Sequence, residues 1–262
     1  LPFLIKPLLQ TFQVCMAQSA PDAGRLATLG AHSVTFEGNI KAASPPLPYD
    51  PRDLHELKQA INQRPLWLAA STHPGEEEII AGVHKKLAAQ FPGLLTILVP
   101  RHAVRGEQIA ADLGNQGLTV ARRSQKQPIS PQTNIYLGDS MGEMGLYYRL
   151  GRIVFIGGSL VAHGGQNPLE AARLDSALLF GAHMFNFTEQ AAALMEAGGA
   201  HQVGDANALT NQVALLLADG KEARRRAAAA AATADDGQDV VAAVLRQLRP
   251  LMSGLESDHA GA

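Results

Sequence analysis

The chain is poor in cysteine, with Cys15 as the single thiol among 262 residues. One thiol excludes an internal disulfide and any metal centre built from several cysteines. The sequence also lacks a run of about 18 consecutive apolar residues, so we expect no membrane-spanning helix within it. The formal net charge is −2, which provides no basic field of the kind that binds nucleic acid.

Common catalytic and cofactor-binding motifs are absent as well. No His/Glu pair has the spacing of a metal site, and neither a Gly-Lys-Ser/Thr phosphate loop nor a Gly-x-Ser-x-Gly elbow occurs. The Gly-x-Gly-x-x-Gly fingerprint does not follow the early predicted strands, which makes NAD and ATP poor candidate ligands. We therefore expect no bound metal.

The hydrophobic fraction is 46%, which supports a packed core. The length suffices for one large or two small domains. The chain begins with Leu1 rather than Met, in the middle of the apolar pattern LPFLIKPLLQTF. We expect it to be a fragment of a longer protein.

Strands and helices alternate from Pro65 onward. This alternation predicts an α/β, Rossmann-like fold with a parallel sheet covered by helices on both faces, and ligands bind such sheets at the carboxyl ends of the strands. The predicted strands cover residues 66–71, 94–99, 118–122, 134–138, 153–156, 177–180 and 201–203. The predicted helices cover residues 75–90, 104–113, 141–150, 188–197 and 206–218, and another begins at Pro168.

Smaller regions flank this alternating part. Residues 12–36 predict a small βαβ-like unit. Residues 41–52 contain four prolines and predict an extended linker, because proline removes backbone donors and restricts φ. Residues 221–252 predict two helices broken near 235–237, and 253–262 predict a frayed tail.

The stretch 153–172, IVFIGGSLVAHGGQNPLEAA, carries the strongest local signal. An apolar strand runs into a glycine-rich loop, after which Asn167, Pro168 and Glu170 suit the N-cap, N1 and N3 positions of a helix. Such a loop and helix end attract anions, because the backbone can approach closely and free N–H groups face the loop. The alternative is a capped helix after a tight turn. Capping explains Glu170, but its carboxylate also suits sugar hydroxyls.

Two further loops also join a strand to a helix. In STHPGEEE, Ser71, Thr72 and His73 could donate hydrogen bonds to an anion, although a lone loop His is more often a surface residue. The three acids that follow suit the first turn of a helix. In PRHAVR, Arg101 stands directly at a strand end, and its planar fork suits carboxylate or phosphate. The alternative for Arg101 is an ordinary surface position.

The loop GDSMGEM has the same place between a strand and a helix. Gly142 allows a ligand to approach the backbone closely. Glu143 is either a ligand contact or a favourable charge in the first turn of the helix. Met141 and Met144 could flank a base or a sugar, but core packing is the usual role of Met.

Taken together and in this order, STHPGEEE, PRHAVR, GDSMGEM and IGGSLVAHGGQNPLEAA resemble the bacterial 3-deoxy-D-manno-octulosonic acid (Kdo) transferase family. The resemblance covers essentially all of residues 1–250, including AQSAPDAGRLATLGA and EGNIK. It implies a two-domain GT-B fold, in which a C-terminal domain binds the donor CMP-Kdo and an N-terminal domain receives the lipid A precursor. It also implies transfer of Kdo from CMP-Kdo to that acceptor in lipopolysaccharide biosynthesis, without a metal or other cofactor.

The resemblance also implies a domain organisation. Residues 1–44 would be a remnant of the N-terminal acceptor domain, 45–64 a linker and lead-in helix, 65–252 the donor-binding domain, and 253–262 a tail. The family's proton acceptor is a glutamate of the N-terminal domain, so no catalytic residue is assigned here and the fragment is expected to be inactive alone. Membrane association through the missing region would place the full-length protein at the cytoplasmic face of the inner membrane, and the fragment itself would be soluble.

The family motifs identify the expected contacts with CMP and the rest of the donor. The primary contacts are Pro100, Arg101, Met141, Gly142, Glu143, Asn167, Pro168, Leu169 and Glu170. The secondary contacts are Ser71, Thr72, His73, Gly164 and Gly165.

The sequence departs from the family pattern at two places. Gln166 stands where the family usually has His, and Gln can donate a hydrogen bond but cannot titrate. Ala182 replaces a usual Pro within 174–187, which affects the expected geometry of that loop.

Two other functions are compatible with the residues. A sugar-nucleotide epimerase of similar fold would bind UDP and would need its own catalytic acids. A non-enzymatic nucleotide-sugar-binding module would bind without transferring.

Overall fold

The computed structural model describes residues 2–38, 47–235 and 239–258. The chain forms two compact units, one made of Leu1–Pro45 with Ala234–Ala262 and the other of Pro46–Thr233. In chain order the elements are α1 (Pro2–Leu9), β1 (Cys15–Met16), α2 (Ala20–Thr28), β2 (Val34–Thr35), α3 (Pro51–Ile61), β3 (Leu66–Thr72), α4 (Glu76–Ala88), β4 (Leu95–Pro100), α5 (Gly106–Asn115), β5 (Val120–Arg122), β6 (Ile135–Leu137), α6 (Met144–Tyr148), β7 (Ile153–Ile156), α7 (Pro168–Ala172), β8 (Ala177–Phe180), α8 (Thr188–Glu196), β9 (Ala200–Gln202), α9 (Ala206–Ala218), α10 (Gly220–Asp235) and α11 (Asp239–Asp258).

The smaller unit contains the predicted βαβ arrangement. Strand β1 pairs in parallel with β2, and α2 connects them. Ser19 caps α2 by accepting a hydrogen bond from the Asp22 N–H at 3.2 Å, the usual role of Ser before a helix. The predicted domain boundaries of the longer protein stay predictions.

Two expectations about irregular segments are wrong. The end of the predicted extended linker is helical, because α3 begins at Pro51 and Asp50 caps it by accepting from the Arg52 N–H at 2.8 Å. Proline is tolerated at the first helical position, because the N–H group that it lacks would have no partner within the helix. A proline can therefore mark the start of a helix as well as an extended linker. Residues 41–46 of that stretch lie outside the described residues. The predicted tail, residues 253–262, is helical as far as Asp258, and residues 259–262 lie outside the described residues.

The larger unit contains the predicted parallel sheet. Its seven strands lie in the order β5-β6-β4-β3-β7-β8-β9, and every neighbouring pair is parallel. From β3 the chain adds β4, then the edge strand β5, and then β6 between them, and it continues from β7 to β9 on the other side of β3. The carboxyl ends of β3 and β7 therefore form the topological switch point, where ligands bind in such sheets.

The core of the larger unit lies against both faces of this sheet. Trp67 and Phe155 point to one face and their neighbours Leu68 and Val154 to the other, and all four are fully buried, as continuous apolar runs in a parallel sheet predict. None of the described helices is long and apolar enough to cross a membrane.

The end of β3 and the loop after β7 are in backbone contact at the switch point. A Cβ atom added to Gly157, just after β7, would lie 2.7 Å from the carbonyl carbon of Ser71 and from the Cα of Thr72. Ser71 itself has a φ of +56° and sits at a register shift in β3, a conformation that non-glycine residues rarely adopt. Only glycine fits at position 157, because any side chain there would overlap the main chain of Ser71 and Thr72.

Substituting Gly157→Ala should lower the free energy of unfolding by about 1–3 kcal/mol, because the new methyl group would collide with main-chain atoms that cannot rotate away. Urea unfolding followed by circular dichroism measures the change. Gly82→Ala is the matched control: no atom lies within 4 Å of its Cβ position in α4, so alanine there should be neutral or stabilising by up to about 1 kcal/mol. Equal unfolding midpoints for the two variants would contradict the close approach at Gly157.

Candidate functional site

A cleft of about 270 Å³ opens at the carboxyl edge of the large sheet. Three loops and the end of β3 converge on it, as parallel strands bring their carboxyl ends to one edge. Its lining consists of Ser71, Val99, Pro100, Arg101, Ser140, Met141, Gly142, Glu143, Met144, Tyr148, Gln166, Asn167 and Glu170.

The predicted primary donor contacts meet in this cleft with two exceptions. Pro168 and Leu169 are buried at the start of α7 and do not line the cleft, so the contacts predicted for them stay predictions. Arg101, Gly142 and Asn167 come from three separate loops and share one cavity. Residues far apart in sequence thus form one candidate binding surface.

Arg101 is the cation of the cleft. Its backbone N–H donates to the Thr72 carbonyl at 2.9 Å, which holds the start of the loop against β3. Its side chain is exposed and has no ion-pair partner among the described residues. Arg105, by contrast, donates to both oxygens of Glu77, at 2.8 and 3.1 Å. The unpaired guanidinium at Arg101 is therefore available to an anion.

The loop around Gly142 differs from the prediction. Helix α6 begins at Met144 rather than at Met141, because Gly142 has a φ of +80° and turns the chain before the helix starts. A Cβ atom at Gly142 would have no neighbour within 4 Å, so a ligand can reach the backbone there. The Met141 side chain is 76% exposed, and core packing is therefore not its role.

Glu143 is held in an ion-pair network. Arg123 donates to its carboxylate at 3.0 and 3.1 Å through Nε and also pairs with Asp53 of α3. Ser140 donates to the same carboxylate. Burial alone would raise the pKa of Glu143, but the hydrogen bonds from Arg123 and Ser140 lower it overall. This carboxylate is ionised and largely occupied by the protein itself.

The predicted cap of α7 is confirmed. Asn167 accepts a hydrogen bond from the Leu169 N–H at 3.1 Å, and Pro168 occupies the first turn. Glu170 accepts from the Asn167 side-chain amide at 3.2 Å. Burial raises the pKa of Glu170. Because α7 has only five residues, its dipole is weaker than we expected, and Arg101 is the stronger positive group.

Of the predicted secondary donor contacts, one lines the cleft and the others lie outside its lining. Ser71 lines the cleft, whereas Thr72 is buried and donates to Glu77 at 3.0 Å. Gly164 and Gly165 have φ values of +89° and +75°, and Cβ atoms there would collide with Asn186 and Met184 respectively. These two glycines pack against the loop after β8, and they do not line the cleft.

His73 stands beside the cleft rather than in its lining. Its Nε2 lies 3.1 Å from the Gln166 side-chain nitrogen, and Gln166 does line the cleft. Burial lowers the pKa of His73, and the nearby His163, His102 and Arg101 lower it further. A neutral imidazole can accept the hydrogen bond that Gln166 donates. The alternative of a surface position does not hold for His73, which is 8% exposed, and the donor contact expected for it stays a prediction.

Sequence reasoning missed the importance of Glu76. This residue is fully buried, and its carboxylate accepts from the N–H groups of His73, Gly158, Ser159 and Leu160 at 3.0, 2.7, 3.1 and 3.0 Å. These hydrogen bonds connect the loop after β3 to the loop after β7. No local signal separates it from the two acids that follow, because all three suit the first turn of α4.

Comparison with known proteins identifies the family. No family model matches the chain. A 3-deoxy-D-manno-octulosonic acid transferase of Haemophilus influenzae is 40% identical, over 84% of this chain and 53% of its own length. The crystal structure of the C-terminal CMP-Kdo binding domain of WaaA from Acinetobacter baumannii is 30% identical with a TM-score of 0.66, over 70% of this chain and 96% of that one. The chain belongs to the Kdo transferase family.

The chain spans about half the length of the curated Kdo transferases that it matches. Its fold is that of GT-B glycosyltransferases. Anabaena HepE, solved in complex with UDP and glucose, superposes with a TM-score of 0.54 over 96% of this chain and 66% of that one, at 16% identity. At that identity the likeness shows the fold alone.

Replacing Glu76 by Gln should destabilise this Kdo transferase chain by about 2–4 kcal/mol, because the amide nitrogen cannot accept hydrogen bonds and would face N–H donors. Glu78→Gln is the control, since Glu78 is exposed in the same helical turn and should change stability by less than about 0.5 kcal/mol. Chemical denaturation of both variants provides the measurement. A loss of stability in E78Q equal to that in E76Q would show that the buried network contributes nothing specific.

Proposed function

We propose that this chain is the donor-binding part of a Kdo transferase and that CMP-Kdo occupies the cleft at the carboxyl edge of the large sheet. The observation that carries the proposal is the convergence of three family motifs on one cleft, with the unpaired Arg101 in its lining. The name of the Acinetobacter structure as a CMP-Kdo binding domain supports it.

The residues of the cleft have separable roles in this proposal. Departure of CMP leaves negative charge on its phosphate, and Arg101 stabilises that charge through its guanidinium. Because a carboxylate has several lone pairs, Glu170 can accept hydrogen bonds from the ribose hydroxyls in addition to the bond from Asn167. The open backbone at Gly142 lets the nucleotide lie close to the loop.

The whole protein, in this proposal, transfers Kdo from CMP-Kdo to a lipid A precursor in lipopolysaccharide biosynthesis. We assign the acceptor, the proton acceptor and membrane association at the cytoplasmic face of the inner membrane to the other half of the relatives' length. In this proposal the reaction requires no metal and no cofactor. This chain by itself then binds the donor and transfers nothing.

Arg101→Met should weaken CMP binding by at least about tenfold, because a charge-assisted contact with phosphate is lost. Isothermal titration calorimetry of the chain with CMP measures the change. Arg152→Met is the matched control: Arg152 is also exposed and pairs with Asp175 at 2.8 Å, but it precedes β7 at the opposite edge of the sheet. It should bind CMP like the wild type.

A parallel titration with UDP separates the transferase from the epimerase alternative. The proposal expects CMP to bind more tightly than UDP. Tighter binding of UDP, or unchanged CMP binding in R101M, would contradict it. Restoring the full-length protein and assaying Kdo transfer separates an enzyme from a non-enzymatic binding module.

A further inference from the structure

A histidine cluster made of His73, His102 and His163 lies beside the donor cleft. The His73 and His163 rings stack with centroids 4.3 Å apart, and the His102 ring meets His73 edge-on at 6.2 Å. His73 is buried, whereas His102 and His163 are exposed. Two solvent-facing imidazoles are thus arranged around a buried third.

The backbone makes room for this arrangement. Gly158 has a φ of +68°, and a Cβ atom there would lie 3.0 Å from Cδ2 of His73 and 3.4 Å from Cβ of His163. Two residues of the cleft lining are connected to the cluster. Gln166, which contacts His73, lines the cleft, and so does Arg101, which directly precedes His102.

Among the described residues, the charged groups that act on His73 include no free anion. Arg101 acts on His73 from the loop after β4, and Glu77 acts on it from α4. Both oxygens of Glu77 are already engaged by Arg105, and one also accepts from Thr72. The Glu76 carboxylate faces the main chain of His73 and is occupied by four backbone N–H groups. The surroundings thus favour an external anion over an internal one.

The proposed donor carries two anions on one carbon. In a nucleotide-activated ulosonic acid the anomeric carbon bears both the sugar carboxylate and the phosphate ester. A site for such a donor needs two adjacent surfaces that bind anions. The cleft at Arg101 is one such surface, and the histidine cluster adjoins it.

We propose that His102 and His163, arranged around His73, form the subsite for the carboxylate of the donor sugar. The inference rests on the proposed donor-binding function and adds to it the side chains that bind the carboxylate of the sugar. Each exposed imidazole can donate an N–H hydrogen bond to a carboxylate oxygen of the sugar. Binding of the acidic sugar should therefore depend on these two side chains.

The test compares CMP with CMP-Kdo by calorimetry of the chain. In the double variant H102Q/H163Q the affinity for CMP should be unchanged, while the affinity for CMP-Kdo should fall by about tenfold or more. Both substituted side chains are exposed, so the fold should persist, which circular dichroism checks. His55→Gln, an exposed residue of α3 that contacts Gln59, is the control and should bind both ligands like the wild type.

The outcomes separate this inference from the proposed function. If the wild-type chain binds no CMP, the donor site itself is wrong. If CMP binds and CMP-Kdo binds the double variant as tightly as the wild type, the carboxylate subsite is overturned and the donor site stands. An equal loss for CMP and CMP-Kdo would assign the histidines to the nucleotide and would likewise overturn the subsite.

Discussion

The buried carboxylate of Glu76 is the interaction on which the ligand-facing edge of the sheet depends. It lies 82 residues from Gly158 in sequence, yet it binds the main chain there because β3 and β7 are neighbours. Four N–H groups compensate the desolvation of its charge, as oriented backbone dipoles can. Gly157 brings the two backbones into contact at the same point. The loops after β4 and β6 therefore lie beside a sheet edge whose backbone is held in place by these contacts.

Pairing of side chains decides which charges remain for a ligand. Arg105 is held by Glu77, Arg122 by Asp139, and Arg123 by Glu143 together with Asp53. Each pair holds its loop in place, and the opposite charges within it cancel. Arg101 is exposed at the cleft without such a partner among the described residues, so it is the arginine that an anion can reach.

The pKa values of the two carboxylates in the cleft shift in opposite directions. Hydrogen bonds from Arg123 and Ser140 outweigh burial and lower the pKa of Glu143, whereas burial raises the pKa of Glu170. Glu143 is committed to holding its own loop. Glu170 accepts from the neutral Asn167 amide, and although Arg173 and Arg101 also act on it, burial keeps its pKa raised. The same type of side chain therefore has two different electrostatic environments within one cleft.

Local chemistry in the sequence determined the alternation of strands and helices, the cap at Asn167, the placement of the polar motifs at strand ends, and the family. These depend on periodicity, capping and glycine or proline preferences that act over a few neighbouring residues. Only the tertiary structure decided that Glu76 rather than Glu78 is buried, that Arg101 rather than Arg105 is unpaired, and that Gly164 packs against a later loop. Each of these depends on partners from distant segments, which meet only when the parallel sheet brings their strand ends to one edge.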